Sequence, residues 1–159
     1  MKQLSLEGLN FSTTEVNIKD KVMTITLDRP EKKNAMNNVM MNEINYLLAY
    51  AKQEKDIRVV VFAANGDIFC AGADLSRTES KSNVPRLENS DDISLSLRHL
   101  YKPVICKIQG PVLAGALLIV SNATHAIAVD EATFSAPEIH RGLWPFMVMA
   151  GLFRVMPKR

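Results

Sequence analysis

Three stretches of the sequence carry residue types that could stabilise charge and transfer protons. Residues 69–75 (FCAGADL) and 110–116 (GPVLAGA) are rich in small residues, which let a backbone approach a ligand closely. Gly115 lies at the predicted start of a helix, where free N–H groups favour an oxyanion. Glu138 follows Pro137 in a largely apolar stretch, so we expect its carboxylate to be partly withdrawn from water, as suits an acid–base group.

Each stretch also has a purely structural interpretation. Residues 71–73 and 114–116 would serve equally well for tight packing of a helix on a strand. Glu138 could be a surface glutamate at a turn. Residue types alone leave both interpretations open.

The elements that would position these stretches alternate between strands and helices. Residues 13–19 and 22–27 alternate apolar and polar side chains around a short turn, which predicts a β-hairpin. Periodicity alone does not separate a spiral of ββα turns from a doubly wound sheet. Further predicted elements are strands over 59–62, 104–108, 125–129 and 133–135, helices over 37–55, 91–100, 115–122 and 144–156, a polar loop over 76–90, and a turn over 110–115.

Composition narrows the functional classes. The chain has 159 residues, 47% hydrophobic and 23% charged, which predicts one globular domain over residues 1–159. A net charge of +2, with both signs interspersed, gives no case for nucleic-acid binding. The absence of a long apolar run and of a signal-like N-terminus predicts no membrane span and a cytoplasmic location. The two cysteines and three scattered histidines predict buried thiols and no metal site.

Four segments resemble the crotonase superfamily, the enoyl-CoA hydratase/isomerase family, in their order and spacing. They cover nearly the whole chain, and the fold that the resemblance implies is α/β, a crotonase-like ββα superhelix. The segments are 25–30 (ITLDRP) with 33–36 (KNAM), then 69–75 (FCAGADL), 102–105 (KPVI) leading to 113–116 (LAGA), and 134–139 (FSAPEI) with Gly142.

The resemblance implies a substrate that is an acyl thioester of coenzyme A, with no further cofactor. Proton removal beside the thioester carbonyl makes an enolate, whose oxygen needs preorganised donors. Carried over, the donors are the backbone N–H groups of Ala73 and Gly115, and Glu138 is the acid–base residue. The remaining implied contacts to the coenzyme are Lys33, Ala35, Met36, Ala71, Gly72 and Asp74.

The sequence departs from the family pattern at several positions. A second glutamate is expected three residues after Gly115, where this chain has Leu118. Leucine cannot hold a water, so the resemblance favours double-bond isomerisation over hydration unless another acid, such as His140, substitutes. Bulky residues after Gly142 would line an acyl pocket or belong to the core, and Thr124 replaces a usual aspartate, which we expect to affect structure more than chemistry.

The family continues well beyond Arg159 with helices that close the acyl pocket and pack in a trimer or hexamer. We therefore expect this chain to lack that C-terminal part and to expose apolar surface on the 144–156 helix. Two functional hypotheses follow. The chain is an acyl-CoA enzyme, or it is a catalytically impaired or incomplete acyl-CoA-binding scaffold or partner subunit.

Overall fold

A computed structural model describes residues 3–76, 82–87 and 92–157 as an α/β fold. The strands are β1 (Thr14–Lys19), β2 (Val22–Leu27), β3 (Val59–Ala64), β4 (Val104–Ile108), β5 (Val112–Leu113), β6 (His125–Ala128) and β7 (Phe134–Ser135). The α-helices are α1 (Asn38–Gln53), α2 (Ile93–Arg98), α3 (Leu117–Asn122) and α4 (Phe146–Val155). Short 3-10 helices cover Pro30–Lys32, Ala114–Ala116 and Pro137–Arg141.

The main sheet has five strands in the order β1-β2-β3-β4-β6. β1 and β2 form the predicted antiparallel hairpin. Its two turn residues, Asp20 and Lys21, have φ of 51° and 65°, the left-handed conformation that two-residue hairpin turns of matching twist require. The remaining neighbours are parallel and follow chain order, which distinguishes this sheet from a doubly wound one, where the order reverses.

A smaller second layer runs beside the main sheet. Met36 bridges to Ala73, Cys70 bridges to Val112, and β5 pairs with β7, all in parallel. After the hairpin, each turn of the chain therefore adds one segment to each layer before its helix. This is the ββα superhelix that the family resemblance implies, and this second layer carries the residues of chemical interest.

Helix α1 forms as its sequence predicts. The Asn37 side chain caps the helix by accepting from the Met40 N–H at 2.9 Å. The apolar face is in the core, with Met40, Ile44 and Leu47 fully buried. The helix ends at Gln53 rather than near Lys55, because Glu54 has an extended conformation while its N–H still bonds to the Tyr50 carbonyl.

Two predicted segments differ in detail. Residues 110–115, predicted as a turn, contain the strand β5, because Val112 finds partners in Cys70 and Phe134. The predicted helix over 91–100 is shorter, with Asp92 as its cap and Arg98 as its last residue. Part of the predicted polar loop, 77–81 and 88–90, lies outside the described residues, as does Asp91.

The end of the described chain exposes much apolar surface. Helix α4 packs on α3 through Val148 and Gly151 but leaves Phe146 and Phe153 74% and 69% exposed. Strand β6 is the edge of the main sheet and is exposed along its length. The exposed apolar surface that we predicted for the 144–156 helix is confirmed. Across the described ranges, no helix has the length and apolarity needed to cross a membrane.

Candidate active site

The small-residue segment 70–74 lies between two other segments of the second layer. On one side the Ala71 N–H bonds to the Lys33 carbonyl at 3.0 Å. On the other side the Leu113 N–H bonds to the Cys70 carbonyl at 2.9 Å. Three segments that are distant in sequence are thereby fixed in one hydrogen-bonded layer, which gives their backbone groups defined directions.

The Ala73 amide points to the Gly115 side of this layer. The bridge between Met36 and Ala73 uses the Gly72 carbonyl, which accepts from the Met36 N–H at 2.7 Å, and the Asp74 N–H, which donates to the Met36 carbonyl at 2.9 Å. In such a parallel bridge the residue between these groups directs its own N–H to the opposite side.

Gly115 lies opposite that amide. It is in the first turn of the Ala114–Ala116 helix, where N–H groups have no partner within the helix. A Cβ added at Gly115 would lie 3.7 Å from the Ala73 nitrogen and 3.9 Å from the Met36 methyl carbon. Because Gly115 has no side chain, nothing from this residue lies beside the Ala73 nitrogen.

Gly72 allows the two donor segments to approach each other. Its φ is +89°, and a Cβ there would lie 2.7 Å from the Ala114 Cβ and 3.0 Å from the Gly115 nitrogen. Only glycine fits both this conformation and this contact. Gly72, which the family resemblance implies as a coenzyme contact, also brings the two segments together.

Glu138 emerges from the same end of the second layer as Gly115. β5 and β7 are parallel with Leu113 opposite Ser135, Gly115 follows the first strand, and Glu138 follows the second. Glu138 is half-buried, as expected, and its Oε2 is shielded from solvent with no hydrogen-bond partner among the described residues. Because an unpaired buried carboxylate oxygen is unfavourable, this atom is a candidate to meet a ligand.

The position of the missing second acid is apolar. Leu118 is half-buried in α3, and a Cβ added at Gly151 of α4 would contact its Cδ2 at 3.6 Å. His140, the candidate substitute, is exposed in the Pro137–Arg141 helix. Thr124 has a structural role, as its hydroxyl accepts from the Val104 N–H at 3.0 Å.

Most of the bulky residues after Gly142 are exposed. Leu143 and Trp144 are each 56% exposed, so they do not belong to the core. Val148 is 3% exposed and belongs to the core, so the core interpretation holds for that residue.

The predicted coenzyme contacts differ in how free their polar groups are. Lys33 is exposed, with φ of 54°. The N–H groups of Ala35 and Met36 donate to the carbonyls of Lys32 and Gly72, so neither N–H is available to a ligand. Their carbonyls also accept bonds within the protein, which leaves them only a second lone pair each.

Asp74 is engaged within the protein. Its carboxylate accepts from the Ser76 N–H at 2.9 Å and from Arg29 at 3.1 Å. The hydroxyl and the N–H of Ser76, followed by Arg29, hold the pKa of Asp74 down at about 2. A direct bond from this carboxylate to the coenzyme would require it to leave these partners.

Arg29 and Asn34 organise the site in a way that was not predicted from the sequence. Asn34 is fully buried, and its side-chain amide donates to the carbonyls of Asn65 and Ile68. In the sequence, Arg29 is one residue of the first family motif, and Arg29-Pro30 ends the second strand of the hairpin. The available signal was its place in that motif, since a partly buried carboxylate in the second motif favours a cationic partner.

Neither cysteine is suited to nucleophilic chemistry. Both thiols are free and buried, as predicted, and burial raises the pKa of Cys70 to about 11 and that of Cys106 to about 12. Over the described ranges, no three metal-binding side chains come together.

Comparison with curated proteins shows the family. A model described as enoyl-CoA hydratase/isomerase matches residues 17–159. A probable enoyl-CoA hydratase of Mycobacterium bovis is 34% identical over 135 residues, which are 77% of this chain and 46% of the relative. A trans-2-decenoyl-(acyl-carrier-protein) isomerase of Streptococcus mutans is 31% identical over 144 residues, covering 86% of this chain and 55% of the relative. The chain spans about half the length of the curated relatives it matches.

Solved structures agree in fold. An enoyl-CoA hydratase/isomerase from Mycobacterium paratuberculosis superimposes with a TM-score of 0.81 at 25% identity, over 94% of this chain and 60% of that one. An enoyl-CoA hydratase from Shewanella pealeana gives a TM-score of 0.74 at 28% identity, over 94% and 58%. With its motifs, its superhelix and these matches, the chain belongs to the enoyl-CoA hydratase/isomerase family, within the crotonase superfamily.

Proposed function

We propose that this chain acts on acyl-CoA thioesters through an enolate whose oxygen is bound by the Ala73 and Gly115 N–H groups. The observation that carries the proposal is the close approach of the two segments, with the Ala73 nitrogen 3.7 Å from where a Gly115 Cβ would lie and the Gly115 nitrogen 3.0 Å from where a Gly72 Cβ would lie. Two preorganised donors beside one open space suit an oxygen that gains negative charge, and one such donor typically contributes about 10²–10³-fold in rate.

Glu138 is the proposed proton carrier. With a 3-enoyl thioester, its carboxylate would take a proton from the carbon beside the thioester. The electron pair of that C–H bond would form a double bond to the thioester carbon, and the carbonyl π pair would move to the oxygen as the enolate forms. When the oxygen's pair re-forms the carbonyl, the original double bond would accept the same proton at its far carbon, so the double bond moves next to the thioester and the mass is unchanged. A 2-enoyl thioester would follow the same steps in reverse. The shielded, unpartnered Oε2 supports this role, because no hydrogen bond within the described chain competes for it.

We propose double-bond isomerisation ahead of hydration. Hydration needs a water to be held and activated, and Leu118 has no polar atom to do so where the resemblance expects a second acid. A single carboxylate suffices to carry one proton between two carbons. One relative, the Streptococcus mutans protein, is named as an isomerase, and others are named as hydratases, so the assay must include both reactions.

The decisive assay offers the purified chain trans-2- and trans-3-enoyl-CoA of several lengths and resolves the products by mass and chromatography. We expect double-bond migration without a mass change. A product heavier by one water would instead establish hydration despite Leu118.

Glu138→Gln tests the proton carrier. We expect it to lower turnover to background while coenzyme A affinity stays within about twofold, since the amide cannot accept the proton. Glu131→Gln is the matched control, because Glu131 is exposed and lies outside the proposed site. Turnover that survives in Glu138→Gln would rule out this role.

A scaffold or partner-subunit function is the second candidate. Leu118 and the exposed apolar surface of α4 favour it. Leu118 leaves the site without a second acid, and an exposed apolar surface is suited to contact with another subunit. Coenzyme A binding without turnover of any enoyl-CoA would support this function over the first.

A further inference from the structure

We infer that Arg29 is a positioning residue that holds the Ala73 amide toward Gly115 by binding both segments that flank it. The inference rests on the proposed function, since the Ala73 amide is one of the two proposed donors. Arg29 itself is assigned no contact with the substrate.

Arg29 binds one residue beside each member of the Met36–Ala73 bridge. Its Nη1 donates to the carbonyl of Ala35, which precedes Met36, and to the carboxylate of Asp74, which follows Ala73. One guanidinium thus joins the two bridged segments close to the peptide group that carries the Ala73 N–H. The side chains of Arg29 and Asp74 are only 13% and 11% exposed, so water competes little for this contact.

The Arg29 side of this ion pair is itself fixed. The Arg29 N–H donates to the Asn34 side-chain oxygen at 2.8 Å, and the Asn34 N–H returns a bond to the Arg29 carbonyl at 2.9 Å. Asn34 in turn binds the carbonyls of Asn65 and Ile68, at 2.8 and 2.9 Å. The Arg29 guanidinium therefore starts from a rigid backbone, and its contacts transmit that rigidity to Asp74.

Small displacements of the Ala73 peptide matter for the proposed chemistry. An oxyanion donor works only when its hydrogen points at the developing charge, and a misplacement of about 1 Å can cost about 10²-fold in rate. The loss of the Arg29 contacts is therefore expected to lower kcat while the rest of the coenzyme site keeps its affinity.

The test uses Arg29→Met, which keeps the apolar stem but removes the donors, and Arg29→Lys, which keeps a cationic donor. Asp74→Asn removes the charge of the partner and covers the case in which Arg29→Met fails to fold. Asp56→Asn is the matched control, because Asp56 pairs with Lys21 at 3.9 Å in an exposed ion pair away from the site.

The first measurement is amide hydrogen exchange of the ligand-free chain. We expect Arg29→Met and Asp74→Asn to accelerate exchange at the Met36 and Asp74 amides at least about tenfold, while β3 amides and the Asp56→Asn control stay unchanged. Unchanged exchange at Met36 and Asp74 would overturn the inference without touching the proposed function.

The second measurement is the infrared carbonyl stretch of a bound enoyl-CoA, together with kcat and KM. Binding to the wild-type chain should shift the thioester carbonyl stretch to lower frequency. Arg29→Met should lose most of that shift, and its kcat should fall by about 10²-fold. Arg29→Lys should recover most of the frequency shift and most of the kcat. Faster exchange with a full carbonyl shift would make Arg29 merely structural and overturn the inference. A wild-type chain that binds the thioester without any shift would overturn the proposed function, whatever the exchange data show.

Discussion

At the scale of single residues, the two glycines of the candidate site act in different ways. Gly72 has a left-handed backbone and no room for a Cβ, whereas Gly115 has room for one but leaves open the space that the Ala73 amide faces. Substitution by alanine should therefore separate a structural effect from a chemical one. We expect the alanine variant at Gly72 to lose stability and the alanine variant at Gly115 to lose activity.

Gly72→Ala should destabilise the fold by about 3 kcal/mol, from a left-handed alanine and from overpacking against Ala114. Gly8→Ala is the matched control, because Gly8 has φ of +73° but nothing within 4 Å of an added Cβ. It should lose only about 1 kcal/mol. Urea denaturation measures the free energy of unfolding of both variants. Equal losses of stability would show that the contact between residue 72 and Ala114 does not add to the cost of the left-handed alanine.

Gly115→Ala should leave stability nearly unchanged, because its Cβ would meet its neighbours at ordinary contact distance. The methyl group would nevertheless occupy the space between the two amides. We expect kcat to fall by about 10²–10³-fold, as for the loss of one oxyanion donor. Normal turnover in a folded Gly115→Ala chain would place the substrate oxygen elsewhere.

At the scale of elements, helix α1 is joined to the chain that enters β1 through one buried carboxylate. Glu43 is fully buried and accepts from the N–H and hydroxyl groups of Ser12 and Thr13 and from the hydroxyl of Thr14, at 2.6–3.1 Å. Charged acceptors with this many donors make strong hydrogen bonds. Glu43 thereby holds α1 against the start of β1.

Glu43→Gln should destabilise the protein by about 3 kcal/mol, because the amide nitrogen cannot accept and leaves buried donors without partners. Glu15→Gln, on the exposed face of β1, should change stability by less than about 0.5 kcal/mol. Thermal and urea unfolding provide the comparison. A loss in Glu43→Gln no larger than in Glu15→Gln would contradict this account of the helix–strand junction.

The elements that could be predicted from sequence are those whose signals are local. A capping asparagine at position 37 or 38 and the spacing of Met40, Ile44 and Leu47 predict α1, and strand alternation predicts the hairpin. β5 was not predictable, because two residues become a strand only through partners at Cys70 and Phe134. The Arg29–Asp74 pair was missed for the same reason, since its members are 45 positions apart.

Within the site, the family resemblance supplied residue identities, and the structure added directions. Ala73 and Gly115 had been predicted as donors from motif positions, but the opposing direction of the Ala73 amide depends on the bridge to Met36. The engagement of the Ala35 and Met36 N–H groups was likewise invisible in sequence, because it depends on how distant segments pair.

At the scale of the whole molecule, apolar side chains concentrate on one end of the chain. Trp144, Phe146, Met147 and Phe153 are all more than half exposed, and the edge strand β6 adds Ile127 at 66%. Exposed apolar residues scattered singly are ordinary, but several on one helix favour association, and so does an exposed edge strand. The solvent exposure of the α4 side chains therefore depends on which surface the helix packs against. The sequence of the helix alone does not predict that surface.

We expect the isolated chain to self-associate through this surface. Sedimentation velocity should show species larger than the monomer, with the fraction rising with protein concentration. Replacing Phe146 and Phe153 together by Ser should shift the distribution toward the monomer, because it removes the two most exposed aromatic rings of α4. Tyr101→Ser is the control, since Tyr101 is 82% exposed but lies between α2 and β4. A concentration-independent monomer for the unaltered chain would show that the exposed surface does not drive association, and it would weaken the partner-subunit function more than the enzymatic one.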